Sequence, residues 1–332
     1  MNIRARSKRA WLAAITAGAM AVALAGCAGG DSGGSEPDKS GELTTVRVGN
    51  LVYTGTAPFQ LGIKKGFFEE EGLKIEQVEG DNPAAIAGQI TSGQLDIGFA
   101  TTTFLATVVA QGAPLKAIAA VDGLIDTKAP ASAIVVPADS PIKSPKDLSG
   151  KKVAVVALGS ELHLITLVVV DEDGGDSKTV QPVQLPFPQM QQALEAGNVD
   201  AIVTTEPFLT ATLSTGARDI SDPEIDVFPN GSVTAWIASD SFIKSNPKAV
   251  AAFKRAMEKT LQYSSDHKDE VLALIPDYAG LEKSQLENMN LGTVFNPKLD
   301  SDSIVKMADL LHKYGFIDKA PTLEQLVYTP KE

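Results

Sequence analysis

The residues best placed for chemistry are hydroxyls and acids at the ends of strand-like runs. Ser160 stands between the turn Leu158-Gly159 and an apolar stretch, just after the Val-rich run Val153–Ala157. A Ser there caps a helix, and a helix start offers unpaired N–H groups and a positive dipole end to an anion. Tyr53-Thr54-Gly55-Thr56 follows the run Val46–Val52, Thr101-Thr102-Thr103 follows Leu95–Ala100, and Thr205-Glu206 follows Asp200–Thr204. With Gly159, Ser160, Glu161 and His163, these loops are rich in hydroxyl and amide donors and contain neither Arg nor Lys. A sulfonate or carboxylate can be held by such donors without a counter-cation. Trp236, inside the run Val233–Ala238, is a further candidate.

Each candidate has a plainer reading that stands beside the functional one. Thr101–Thr103 and Ser160 can serve as helix caps alone. His163 can face the core, Tyr53 can be a wall, and Trp236 can be packing. Glu206 can cap a helix begun at Pro207. As a ligand contact, Glu206 suits a guest with a positive or donor end, such as an aminosulfonate, better than inorganic nitrate.

Other chemistries have little to work with. The chain has one Cys and three widely separated His, so neither a disulfide, a Cys cluster nor a His-rich metal site is expected, and no cofactor is expected. The motifs G-x-S-x-G and H-E-x-x-H are missing, and Ser149-Gly150-Lys151-Lys152 lacks the spacing of a phosphate loop and precedes a strand. The formal net charge of -12 argues against a nucleic-acid surface. Glu69-Glu70-Glu71 reads as a solvated run.

The elements that must position these loops alternate in type. Strands are expected at Val46–Val52, Leu73–Val78, Leu95–Ala100 and Leu115–Val121, with helices at Phe59–Phe68, Pro83–Ile90 and Phe104–Ala110. A second series follows: the strand Val153–Ala157, the helix after Ser160, the helix Met190–Ala196 and the strand Asp200–Thr204. This α/β rhythm implies two parallel sheets, and in such sheets ligands lie beyond the carboxyl ends of the strands. Ala133–Pro137 and Val233–Ala238 are assigned as the two crossings, Arg218–Gly231 as loop. Helices are expected at Lys248 to about His267, Glu270–Ile275, Ser284–Met289, Ser301–Lys313 and Leu323–Val327. The expected division is 43–132 with 239–332 as the first lobe and 133–238 as the second with its hinge strands. Two crossings allow hinge closure around a ligand.

The N-terminus reads differently. Met1–Arg9 is basic, Ala10–Leu24 is apolar and short for a bilayer span, and small residues follow. Residues 1–26 are read as an export signal and 27–42 as a Gly- and Ser-rich tether. Leu24-Ala25-Gly26-Cys27 resembles the bacterial lipobox, which implies cleavage before Cys27, lipidation of its thiol and a membrane anchor without a span.

Several stretches resemble, in order, the nitrate, sulfonate, taurine and thiamin-pyrimidine binding proteins of ABC importers: PFQLGIKKGFFEEEGLKIEQV, SGQLDIGFA, QGAPLKAIAA, SPIKSPKDLSGKKVAV, ALEAGNVDA and SNPKAVAAFKRAMEK. The resemblance implies a two-lobed periplasmic-binding-protein fold of the second type with ligand between the lobes. It implies capture of a sulfonate- or taurine-like organic anion outside the cytoplasm by a monomer, which passes it to a permease and an ATPase. Nitrate, an aromatic carboxylate or a thiamin pyrimidine are the alternative ligands. A pyrimidine-synthesis enzyme of the same fold is the alternative function. The catalytic His and Cys-rich motif of that enzyme branch find no counterpart here, so a non-enzyme is expected.

Overall fold

The structure is a computed structural model and describes residues 43–52, 54–80, 82–128, 130–279 and 293–330. The export signal, Cys27, the tether, Tyr53 and the expected helix Ser284–Met289 lie outside these residues.

The first half alternates as expected: β1 (Thr44–Asn50), α1 (Ala57–Lys64), α2 (Phe67–Glu70), β2 (Leu73–Glu79), α3 (Pro83–Thr91), β3 (Ile97–Thr101), α4 (Thr102–Ala110), β4 (Leu115–Ala119) and a short β5 (Gly123–Ile125). The expected helix Phe59–Phe68 is two helices, because Gly66 takes a left-handed turn at φ 76° that α-helix cannot continue through. The chain then runs through β6 (Ser132–Val136), β7 (Lys152–Val155), α5 (Glu161–Glu172), β8 (Gln181–Gln184), α6 (Phe187–Glu195), β9 (Ala201–Thr205) and α7 (Phe208–Leu213). Where loop is expected, at 218–231, the structure has β10 (Arg218–Ser221) and α8 (Pro223–Val227). The Pro and Asp that suggest a loop also start helices: Asp222 caps α8 and Pro223 occupies its first position. The chain ends with β11 (Thr234–Ser239), α9 (Asp240–Ser245), α10 (Pro247–Asp266), α11 (Lys268–Ala279), β12 (Thr293–Phe295), α12 (Ser301–Lys313) and α13 (Leu323–Leu326).

Two five-stranded sheets form the lobes, in the orders β2-β1-β3-β11-β4 and β10-β6-β9-β7-β8. They are mixed, not purely parallel. In the first, β11 runs antiparallel to β3 and β4; in the second, β6 runs antiparallel to β9 and β10. The reason is directional. Strands made within a lobe end at the cleft, whereas β6 and β11 enter their sheets from the cleft and run away from it. Register shows this at the rim, where Thr234 pairs with Thr101 and Ser132 pairs with Thr205. β11 is thus a central strand of the first sheet, and its Trp236 is buried in an aromatic group with Phe59 and Phe253, ring centroids 4.7 and 5.8 Å away. The C-terminal α12 packs on α4, where Thr103 Oγ1 donates to Met307 Sδ at 3.2 Å. It also meets α5, beside which Tyr314 Oη donates to Asp171 Oδ2 at 3.0 Å.

A two-stranded sheet, β5 with β12, closes one side. Gly123 makes that approach possible: at φ 133° a Cβ there would lie 2.2 Å from the Val294 carbonyl oxygen. Gly123→Ala is therefore expected to destabilise the fold by at least about 2 kcal/mol. Gly150→Ala, where nothing lies within 4 Å of the added carbon, should cost only about 1 kcal/mol for its left-handed backbone. Urea unfolding of both variants measures the difference.

Candidate functional site

A cavity of about 580 Å³ lies between the sheets. The first lobe supplies Leu51 and Val52 after β1, Phe99 and Thr101 on β3, Asp122 with the strand β5, and Ser232–Thr234 at the start of β11. The second supplies Ala131, Glu161 at the head of α5, Phe187 at the head of α6, Thr205 at the end of β9, and Glu224 on α8. The strand-end rule thus places the cavity correctly, but it is only partly lined by the hydroxyls singled out from the sequence.

Of the candidates, Thr101, Glu161 and Thr205 line the cavity. Thr101 also caps α4, its Oγ1 accepting from the Phe104 N–H at 3.2 Å. Thr102 and Thr103 are buried behind it. Thr56 is buried and tied to Leu51 O and Tyr278 Oη, each at 2.7 Å, so the segment Thr54-Gly55-Thr56 braces the end of β1 from behind. Asn50 Nδ2 joins the same knot by donating to Tyr278 Oη at 2.6 Å.

At α5, Ser160 is a cap whose Oγ accepts from the His163 N–H at 3.3 Å. Gly159 N–H donates to His163 Nδ1 at 3.0 Å, and the imidazole packs edge-on against Phe316, centroids 5.2 Å apart. Burial pushes the His163 pKa down, favouring the neutral ring. His163, Gly159 and Ser160 thus shape the head of α5 without facing the cavity. Glu206 turns back on its own helix, accepting from the Thr210 N–H at 3.1 Å and from Thr210 Oγ1 at 2.7 Å. Trp236 is fully enclosed in the first-lobe core.

The groups that sequence reasoning missed are acids. Asp122 follows β4, and its Oδ1 accepts from Thr234 Oγ1 at 2.7 Å and from the Gly123 N–H at 3.0 Å. Glu224 sits in the first turn of α8, which Asp222 caps through Oδ1 bonds from the Glu224 and Ile225 N–H, both at 3.1 Å. Asp122 was discoverable from its place at a strand end. Glu224 was not, because its segment reads as loop. Glu161 keeps one face on the cavity, yet its Oε1 is buried with no hydrogen-bond partner among the described residues.

These acids perturb one another. Burial, then the charges of Glu224 and Asp122, hold the Glu161 carboxyl well above the usual carboxylate range. Burial, then Asp222 and Asp122, push Glu224 up to about 7, against the opposing hydrogen bond of Ser132. Burial likewise raises Asp222. Among the described residues, no Lys or Arg lines the cavity.

The comparisons with known proteins follow this geometry. The description "NMT1/THI5 like" fits residues 54–271, more than half of the chain. The chain belongs to the NMT1/THI5-like family. A Bacillus subtilis (strain 168) protein, provisionally named aliphatic sulfonates-binding protein, is 28% identical over 92% of this chain and 90% of its own. A 4-amino-5-hydroxymethyl-2-methylpyrimidine phosphate synthase of Aspergillus parasiticus is 27% identical over 62% of each chain. Among solved structures, the periplasmic aliphatic sulphonate binding protein of Escherichia coli superposes with a TM-score of 0.71, at 22% identity, over 88% of this chain and 94% of that one. This NMT1/THI5-like chain thus has the two-lobed periplasmic-binding-protein fold.

The raised carboxyls make stability depend on pH with a definite sign. Between the ordinary Glu value of 4.5 and about 7, folded Glu224 keeps a proton that the unfolded chain has lost. Stability from this group is full below that window and is lost as pH rises through it. From about pH 5 to about pH 8 the melting temperature of the wild type should therefore fall relative to that of Glu224→Gln. Calorimetry at matched ionic strength checks this, and parallel curves would mean that folded Glu224 is charged throughout.

Proposed function

We propose that this protein is the extracytoplasmic solute-binding component of an ABC importer. It closes its two lobes on a small organic molecule and hands it to a permease driven by an ATPase. The observation that carries this reading is the cavity between the sheets: about 580 Å³, walled from both lobes at their strand ends. That size is typical of small-molecule sites, and sites of this kind combine apolar walls with a few polar groups. Leu51, Phe99, Leu124 and Phe187 provide such walls.

The relative's name supports a sulfonate-type ligand, taurine-like if it carries an amine. The N-terminal segment supports secretion and a lipid anchor at Cys27 in place of a spanning helix. Among the described residues, no helix is long and apolar enough to cross a membrane. We read the protein as a monomer and a non-enzyme. The binding-protein relative matches nine-tenths of the chain, whereas the synthase matches less than two-thirds.

The test is capture. Protein incubated with extract of its host's growth medium, washed and examined by native mass spectrometry, should retain one small molecule. That molecule at a hundredfold excess over its Kd should stabilise the fold by about 2.7 kcal/mol. Retention of no compound would remove the proposal. Phe187→Ala should weaken binding of the captured molecule by about 1.5–3 kcal/mol, because it strips an aromatic wall that stacks on Phe208. Trp236→Phe should shift the melting temperature and leave affinity unchanged, since the indole lies in the core.

A further inference from the structure

We propose that the corner of the cavity formed by Glu161, Glu224 and Asp122 recognises a positively charged nitrogen, an ammonium, amidinium or guanidinium group. The captured solute is then an organic cation, or a zwitterion that presents its cationic end there, and not a simple alkanesulfonate. This rests on the solute-binding reading above and specifies the ligand's chemistry.

The argument begins with an unmet hydrogen bond. Glu161 Oε1 is shut away from solvent with no partner among the described residues, and its side chain borders the cavity. A buried carboxylate oxygen without a donor is unfavourable. None of the described residues supplies that donor, and the same side chain lines the cavity. Two further acids converge on the same corner from different elements, Glu224 from α8 and Asp122 from the end of β4. The head of α5, the place where an anion would gain most from free N–H groups and the dipole, is capped by Ser160 and carries the acid Glu161 as its first residue.

Among the described residues, no Lys or Arg lines the cavity. A sulfonate at this corner would therefore meet carboxyl groups and, among the described residues, no counter-cation. An N–H-bearing cation would instead form the short charge-assisted bonds that carboxylates favour. A bare metal ion fits less well: among the described residues no three His, Cys, Asp or Glu are grouped so as to hold one. The remaining walls, Leu51, Phe99, Leu124 and Phe187, suit an organic body attached to the charged end.

Protons compete with a cation for these carboxyls. Glu161, Glu224, Asp122 and Asp222 are the titratable groups that face one another here, and burial raises Glu161, Glu224 and Asp222. A permanent cation then competes with protons, so its affinity should rise as pH goes from about 6 to about 8, across the Glu224 value of about 7.

Three probes of nearly one shape and different charge test the assignment: benzamidine, benzamide and benzenesulfonate, by isothermal titration calorimetry on the whole folded protein. Benzamidine is expected to bind at least tenfold tighter than benzamide, and benzenesulfonate weaker than either. In Glu161→Gln and in Glu224→Gln the preference for benzamidine over benzamide should collapse towards one. Removing a buried acid should leave each variant at least as thermally stable as the wild type, so loss of preference would not report unfolding. Benzenesulfonate binding tightest, or an unchanged preference in both variants, would overturn the cationic corner while leaving solute capture intact. Binding of none of the three would also overturn it, and solute capture would still be decided by the extract experiment.

Discussion

Two sheets share a cleft only if strands made within a lobe end at it and strands arriving from the other lobe begin at it. The rest of this molecule depends on that directional constraint. It makes β6 and β11 antiparallel within otherwise parallel neighbourhoods, and it sets Thr101 beside Thr234 and Thr205 beside Ser132 at the rim. It also delivers the heads of α5 and α6 to the same cavity from the second lobe. A parallel strand sends its successor helix back from its carboxyl end, so polar loop residues collect where both lobes face inward.

Around that geometry the chain spends its polar groups in two ways. Many are structural. Ser160, Thr101 and Asp222 cap helices, and Asn50, Thr56 and Tyr278 lock the end of β1. Such satisfied bonds fix the loops on which the cavity is built. Others are left incomplete inside it, with Glu161 the clearest case. Incomplete pairing beside an enclosed volume is the usual mark of a site awaiting a partner. Incomplete pairing also occurs in the core, where Trp236 Nε1 of the Trp236–Phe59–Phe253 group has no hydrogen-bond partner among the described residues; Glu161 differs in that its side chain lines the cavity.

Family membership and cavity chemistry speak to different levels. The two-lobed fold and the sulfonate-binding relatives account for the cleft and its location. Fold alone does not select a ligand. The side chains lining the cavity bear on that, and among them are acids from α5, α8 and the end of β4.

The sequence by itself determined the alternation of strands and helices and the strand ends at which the cavity lies. These follow from local periodicity, caps and turns, which act over a few residues. It also pointed to Thr101, Glu161 and Thr205. What only tertiary structure decided was which polar side chain turns inward. Glu206 and Glu161 both stand just after a strand, yet Glu206 bonds to Thr210 one turn on, while Glu161 lines the cavity near Glu224 of α8 and Asp122 of the other lobe. Trp236 sits on a strand that leaves the cleft, and its ring faces the helices on the far side. Glu224 and Asp122 are about a hundred residues apart in sequence and meet only because the chain crosses between the sheets and returns. The electrostatic character of the cavity is a property of that meeting, and no short-range pattern in the chain encodes it.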